Sequence, residues 1–159
     1  MRRCSLLITL GLLLISLLGM QFAASQAPAT MEASVDIHPE VFNLKRNGTG
    51  THGVITVRVS DLTKEGTSYN VTEIDVLTIV LYHEAAFVAQ PLRTEVAGDH
   101  LIVKFDATTV ANYIWFKLWH MGITPPAPPP DYTMTFTVKG ELFNGEEFAG
   151  SDTIKVVFP

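Results

Sequence analysis

The chain has 159 residues, with 16 acidic against 11 basic side chains, a net charge of −5 and a single cysteine. No Lys/Arg cluster occurs along it, which excludes the phosphate-neutralising surface that a nucleic-acid binder needs. The excess of carboxylates implies solubility and little attraction to anionic surfaces.

Residues 1–25 place Arg2 and Arg3 before an apolar stretch from Leu6 to about Leu18 and close on Ala23-Ala24-Ser25. A basic start, an apolar middle and a small-residue exit form the pattern of a cleaved secretory signal. A retained anchor is the alternative, because the run up to Ala24 approaches the roughly 20 apolar residues that span a bilayer. The spacing of Ala23 and Ser25 favours removal, leaving no membrane insertion and a protein that is secreted, periplasmic or held at the cell surface. Cys4 leaves with the signal, so neither disulfides nor thiol chemistry remain, and stability must come from burial. Cys4 also precedes the apolar stretch, whereas a lipid-bearing cysteine is expected at its end.

A flexible lead over 26–33 opens one domain over 34–159. Residues 34–37 and 54–60 read as strands; in the second, Ile55, Val57 and Val59 alternate with Val54, Thr56 and Arg58. The run 74–83 is apolar nearly throughout, which suits a central strand covered on both faces. In 100–106, Leu101, Val103 and Phe105 share one side. A helix is expected over 107–120, with Asp106 as its cap, Val110, Ile114 and Leu118 at four-residue spacing, and Gly122 as its stop. Five prolines follow in "ITPPAPPPDY" and favour an extended connection. A strand over 132–142 then turns at Asn144-Gly145, a pair suited to a tight turn with positive φ at both central residues, and returns through Ile154, Val156 and Phe158. About seven strands and one short helix, without a βαβ rhythm, predict an all-β, immunoglobulin-like, two-layer antiparallel sandwich.

Four phrases in order, "VDIHPEVFNLKRNGTGTHGVITVRV", "VTEIDVLTIVL", "HLIVKFD" and "GELFNGEEFAGSDTIKVV", resemble a β-sandwich domain that recurs in secreted and cell-surface proteins of bacteria and archaea. The resemblance runs from about Val35 to Val157 and implies an exported sandwich without an established activity. Members commonly carry an acidic loop suited to calcium before the V-x-F-D strand. Here that place holds only Glu95 and Asp99, too few oxygen ligands for the ion. A second departure is the Trp/Pro-rich piece over 113–131, an elaboration where the family more often has a brief turn; loops on a rigid scaffold often carry binding.

The histidines, His38, His52, His83, His100 and His120, form no short-spaced pair, and neighbours such as His83/Glu84 and Asp99/His100 point to opposite faces of a strand. An exported copper- or zinc-binding protein using His83, His100 or His120 is the alternative reading. Hydrolysis is the weaker alternative, because no G-x-S-x-G elbow occurs and Ser151-Asp152 reads as the entry to the last strand. Paired carboxylates are a further route to hydrolysis, and their separation is a three-dimensional quantity. Tyr113, Trp115, Phe116 and Trp119 are the surplus. Tyr113, Trp115 and Trp119 are the candidate binding residues, with the two tryptophans either packed beneath the prolines or forming an aromatic platform for a sugar, a partner protein or a membrane interface. Asn47 and Asn70 each begin an N-x-T glycosylation pattern. The expectation is a secreted, non-enzymatic binding or structural module without a cofactor, meeting an extracellular protein or carbohydrate.

Overall fold

Alternation decides which face of each strand turns inward. The computed structural model describes residues 30–44, 53–123 and 132–157. The signal region, Asn47, His52, the prolines at 125–130 and Phe158 lie outside the described residues. The elements are β1 (Met31–His38), β2 (Val41–Asn43), β3 (Val54–Lys64), β4 (Thr67–Tyr69), a single 3-10 turn (Val71–Glu73), β5 (Ile74–His83), β6 (Ala86–Ala89), β7 (Arg93–Ala97), β8 (His100–Asp106), α1 (Ala107–His120), β9 (Thr133–Leu142) and β10 (Glu147–Val157).

The fold is all-β with one α-helix among the described residues, and its strands form a curled mixed sheet in the order β6-β5-β9-β10-β1-β3-β8-β7. β2 lies on β10, and β4 lies on β3. Among the described residues ten strands replace the expected seven or so, because β2, β4 and β6 are only three or four residues long and too short to show a period. The expectation of antiparallel pairing also needs correction. β10 runs parallel to both β1 and β2, while the other pairings are antiparallel.

One core cluster takes Ile55, Val57 and Val59 from β3, Leu101, Val103 and Phe105 from β8, and Met134, Phe136 and Val138 from β9. The same cluster receives Val110, Ala111, Ile114 and Leu118 from α1, so the helix lies against the sheet on an apolar stripe. No polar or charged residue is fully buried among the described residues.

β5 departs from its expected burial on both faces. Asp75 and Val80 on β5 are five positions apart while their partners on β9, Glu141 and Lys139, are two apart; the resulting bulge leaves Leu77 89% exposed. The turn at Asn144-Gly145 also differs from expectation. Gly145 takes φ 83° but Asn144 stays at negative φ, and Gly145 N–H donates to Leu142 O at 2.8 Å. This is a longer connection with one left-handed glycine, closed by Asn144 Oδ1 accepting from Glu146 N–H.

β10 needs special fitting because it lies between β9 and β1. A Cβ at Gly150 would collide with the Ala33 carbonyl and the Val35 side chain, so only glycine lets the two strands approach. β1 is irregular at the same level, between Glu32 and Ser34.

Candidate functional site

The C-terminal half of α1 collects the candidate residues. At its start, the Asp106 carboxylate accepts from Thr109 N–H at 3.0 Å and from Thr109 Oγ1 at 2.7 Å, and these bonds hold its pKa below the usual carboxylate value. At its end, Gly122 adopts φ 73°, Gly122 N–H donates to Trp119 O, and Ile123 N–H donates to Leu118 O, both at 3.0 Å. Ile123 then packs against the core, completing a left-handed helix stop. Both ends of α1 fall where Asp106 and Gly122 place them.

Tyr113 and Trp115 are half-buried and pack against the core, whereas Trp119 is 72% exposed. A full turn of spacing therefore does not make the two tryptophans one surface: Trp115 belongs to the margin of the core and Trp119 stands away from it. Around Trp119 the helix end presents Phe116 and Met121, 60% and 51% exposed, with the His120 ring 4.3 Å from that of Phe116. Aromatic rings and a methionine exposed together offer apolar area with few rotatable bonds, and the indole N–H can still donate.

Tyr113 has a different partner that the sequence did not reveal. Its hydroxyl and His83 Nδ1 are joined by a 3.0 Å hydrogen bond, and the His83 ring lies between those of Tyr113 and Phe136, at 5.7 and 5.6 Å. Burial lowers the His83 pKa and nearby Lys117 adds to that, against the opposing pull of Glu84. Burial likewise raises the Tyr113 pKa. Beside them, Lys117 Nζ donates to Glu84 Oε2 at 2.8 Å, an exposed pair that holds Glu84 below its usual pKa. Glu84 sits at φ 56° in the turn between β5 and β6, so the network ties this turn to the middle of α1. The hydrogen bond between His83 and Tyr113 fastens α1 to the end of β5. The sequence signal is faint, because the two residues are thirty positions apart.

Two other histidines pair locally: His38 with Asp36 at 2.9 Å, and His100 with Asp99 at 2.9 Å, against the expected opposite orientation, because Asp99 lies in the turn before β8. Glu95 lies 3.7 Å from Arg93. Among the described residues, no three His, Cys, Asp or Glu side chains gather as a metal site would require.

The carboxylates near the closing hairpin divide into two kinds. Asp152 accepts from the Ile37 amide, and Glu146 accepts from Lys64 Nζ at 2.8 Å, so both hold strands together. Glu141 and Glu147 face each other across β9 and β10 and border an outer-face depression of about 420 Å³, shared with Thr78, Tyr82 and Lys139. The Lys139 ammonium lies 5.3 Å from the Tyr82 ring centre. Its walls combine exposed side chains with buried Phe148 and Gly140, and no fully buried polar residue lines it. The aromatic end of α1 is the more distinctive surface.

Asn70, the other sequence candidate among the described residues, opens the 3-10 turn, and its side chain accepts from Thr72 N–H at 2.9 Å. No helix among the described residues is long and apolar enough to cross a membrane. No protein-family model, curated protein or solved structure matches the chain.

Proposed function

We propose that the chain is an exported, non-enzymatic binding or structural module, with an immunoglobulin-like two-layer sandwich as its scaffold. Its contact surface is the outer end of α1. The carrying observation is Trp119, 72% exposed beside Phe116 and Met121 on a helix whose inner stripe of Val110, Ala111, Ile114 and Leu118 is buried. A rigid helix fixed through His83 and Tyr113 would present these side chains without further ordering, which keeps the entropic cost of binding low.

The sandwich reading is supported by strand order. β7-β8-β3-β1 form one arm and β6-β5-β9-β10-β2 the other, with opening strands on both: β1 beside β3 and β2 beside β10. Folding the arms over one another would bury the single apolar cluster that both share. Export is read from the basic, apolar and small-residue order of residues 1–25. The partner class is an extracellular protein or carbohydrate, since both use exposed aromatic side chains.

The chain has two tryptophans, so Trp119→Phe leaves Trp115 as the one emitter. Iodide should quench the wild-type protein strongly and the variant weakly. Immobilised protein should retain a surface polysaccharide or extracellular protein, and Trp119→Ala should weaken that retention tenfold or more without unfolding the domain. Equal retention by wild type and Trp119→Ala would sink the proposed contact surface. Stoichiometric copper or zinc by elemental analysis, or turnover in a broad hydrolase screen, would overturn the non-enzymatic binding reading.

A further inference from the structure

We propose that Asn70 is an acceptor for asparagine-linked carbohydrate. The inference rests on the export reading, because the oligosaccharide transfer occurs on exported chains. Asn70-Val71-Thr72 has the N-x-T acceptor pattern, and the structure adds three facts that the pattern does not contain.

The first is exposure. Asn70 and Thr72 lie at the surface while Val71 between them is 3% exposed, so a buried valine pins the tripeptide with the Asn70 and Thr72 side chains outward. The second is geometry. Asn70 Oδ1 accepts from both the Thr72 amide and Thr72 Oγ1, each at 2.9 Å. Donation to the carbonyl oxygen draws electron density from the amide nitrogen and eases loss of its proton, while Nδ2 takes part in neither bond. The third is room. A shallow depression of about 200 Å³, lined by Asp61, Thr63, Ser68, Tyr69 and Asp99, opens beside Asn70 and can accommodate a first sugar ring.

The transfer balances without any redox partner. A bond forms between Nδ2 and the anomeric carbon of a lipid-linked oligosaccharide phosphate, and the bond from that carbon to the phosphate oxygen breaks. The phosphate leaves with the electron pair, and one Nδ2 proton passes to a base of the transferase. Oδ1 is untouched, so the linked asparagine still holds the turn through the same acceptor atom.

The test places the full chain behind an added secretion signal in a host whose oligosaccharyltransferase reads N-x-S/T. Trypsin cuts after Arg58, Lys64 and Arg93, so Asn47 and Asn70 fall on separate peptides. Enzymatic release in heavy-oxygen water should mark Asn70 on the 65–93 peptide. Asn70→Asp keeps the acceptor oxygen and should unfold like the wild type without carbohydrate on this peptide; Thr72→Val should also lose it, and Thr72→Ser should keep it. Folded, secreted wild-type protein with Asn70 unmodified would overturn the proposal. A parallel sample relying on residues 1–25 alone tests export: its retention inside cells sinks that reading, while the first sample still decides Asn70.

Discussion

Asp152 Oδ2 accepts a 2.7 Å hydrogen bond from the Ile37 amide, joining two residues 115 positions apart. The parallel register of β1 with β10 ends at Glu32 and Ala149, and that of β2 with β10 begins at Val41 and Lys155. Asp152 lies between these stretches and replaces a missing backbone acceptor with a side chain. Because Ile37 is 1% exposed, its amide has little access to water. Asp152→Ala should therefore cost about 2 kcal/mol, within the range for stranding a buried donor and losing a charge-assisted bond. Asp152→Asn, which keeps an acceptor oxygen, should recover more than half of the loss in urea unfolding.

Gly150 and Gly140 both resist a methyl group, for unequal obstacles. At Gly140 an added Cβ would meet the Phe148 ring at 2.7 Å and Ile79 at 3.3 Å, and the ring can shift. At Gly150 the obstacle includes the Ala33 backbone carbonyl. Gly140→Ala should cost about 1–3 kcal/mol, and Gly150→Ala should meet or exceed the top of that range. Equal unfolding midpoints for the two variants would contradict this ranking.

His83 should titrate below its ordinary value of 6.5, because burial disfavours the imidazolium and Lys117 adds to the penalty. The unfolded chain takes up its proton near 6.5 while the folded chain resists. Stability linked to this group is therefore intact above that pH and is lost as the pH falls toward the depressed folded value. Imidazole NMR shifts followed against pH read the site directly. Lys117→Met removes the lysine that lowers it and the cation that balances Glu84, so the midpoint should rise; a wild-type midpoint at or above 6.5 would contradict the assignment.

Glu141 and Glu147 sit directly opposite on one face of the β9 and β10 pair. Like charges in that register oppose pairing, and opposite charges favour it by about 0.2–1 kcal/mol. Glu147→Lys should raise stability by about 0.5 kcal/mol at low salt, with the gain shrinking as salt rises. A loss of stability would mean that the two carboxylates have a shared partner worth keeping.

Local order was legible wherever neighbouring residues carried the information. The alternation of Ile55, Val57 and Val59, and that of Met134, Phe136 and Val138, reports inward faces directly. Asp106 and Gly122 mark the helix ends because capping is decided within one turn. Long-range pairing was less visible. The Leu77 bulge depends on how β5 aligns with β9, and the parallel neighbours of β10 depend on segments more than a hundred residues earlier. The candidate surface shows the same limit. Helical spacing places Trp115 and Trp119 one turn apart, but only the neighbouring elements decide which ring is covered.

The position of β10 also sets an order of events during synthesis. It lies between β9 and β1, so the sheet remains two disconnected halves, β6-β5-β9 and β1-β3-β8-β7, until residues 147–157 have emerged. Each half leaves a strand edge uncovered during that interval, exposed to pairing with another chain. Closure requires contacts of long sequence separation, which slows folding, so assembly of the whole sheet should follow emergence of this segment.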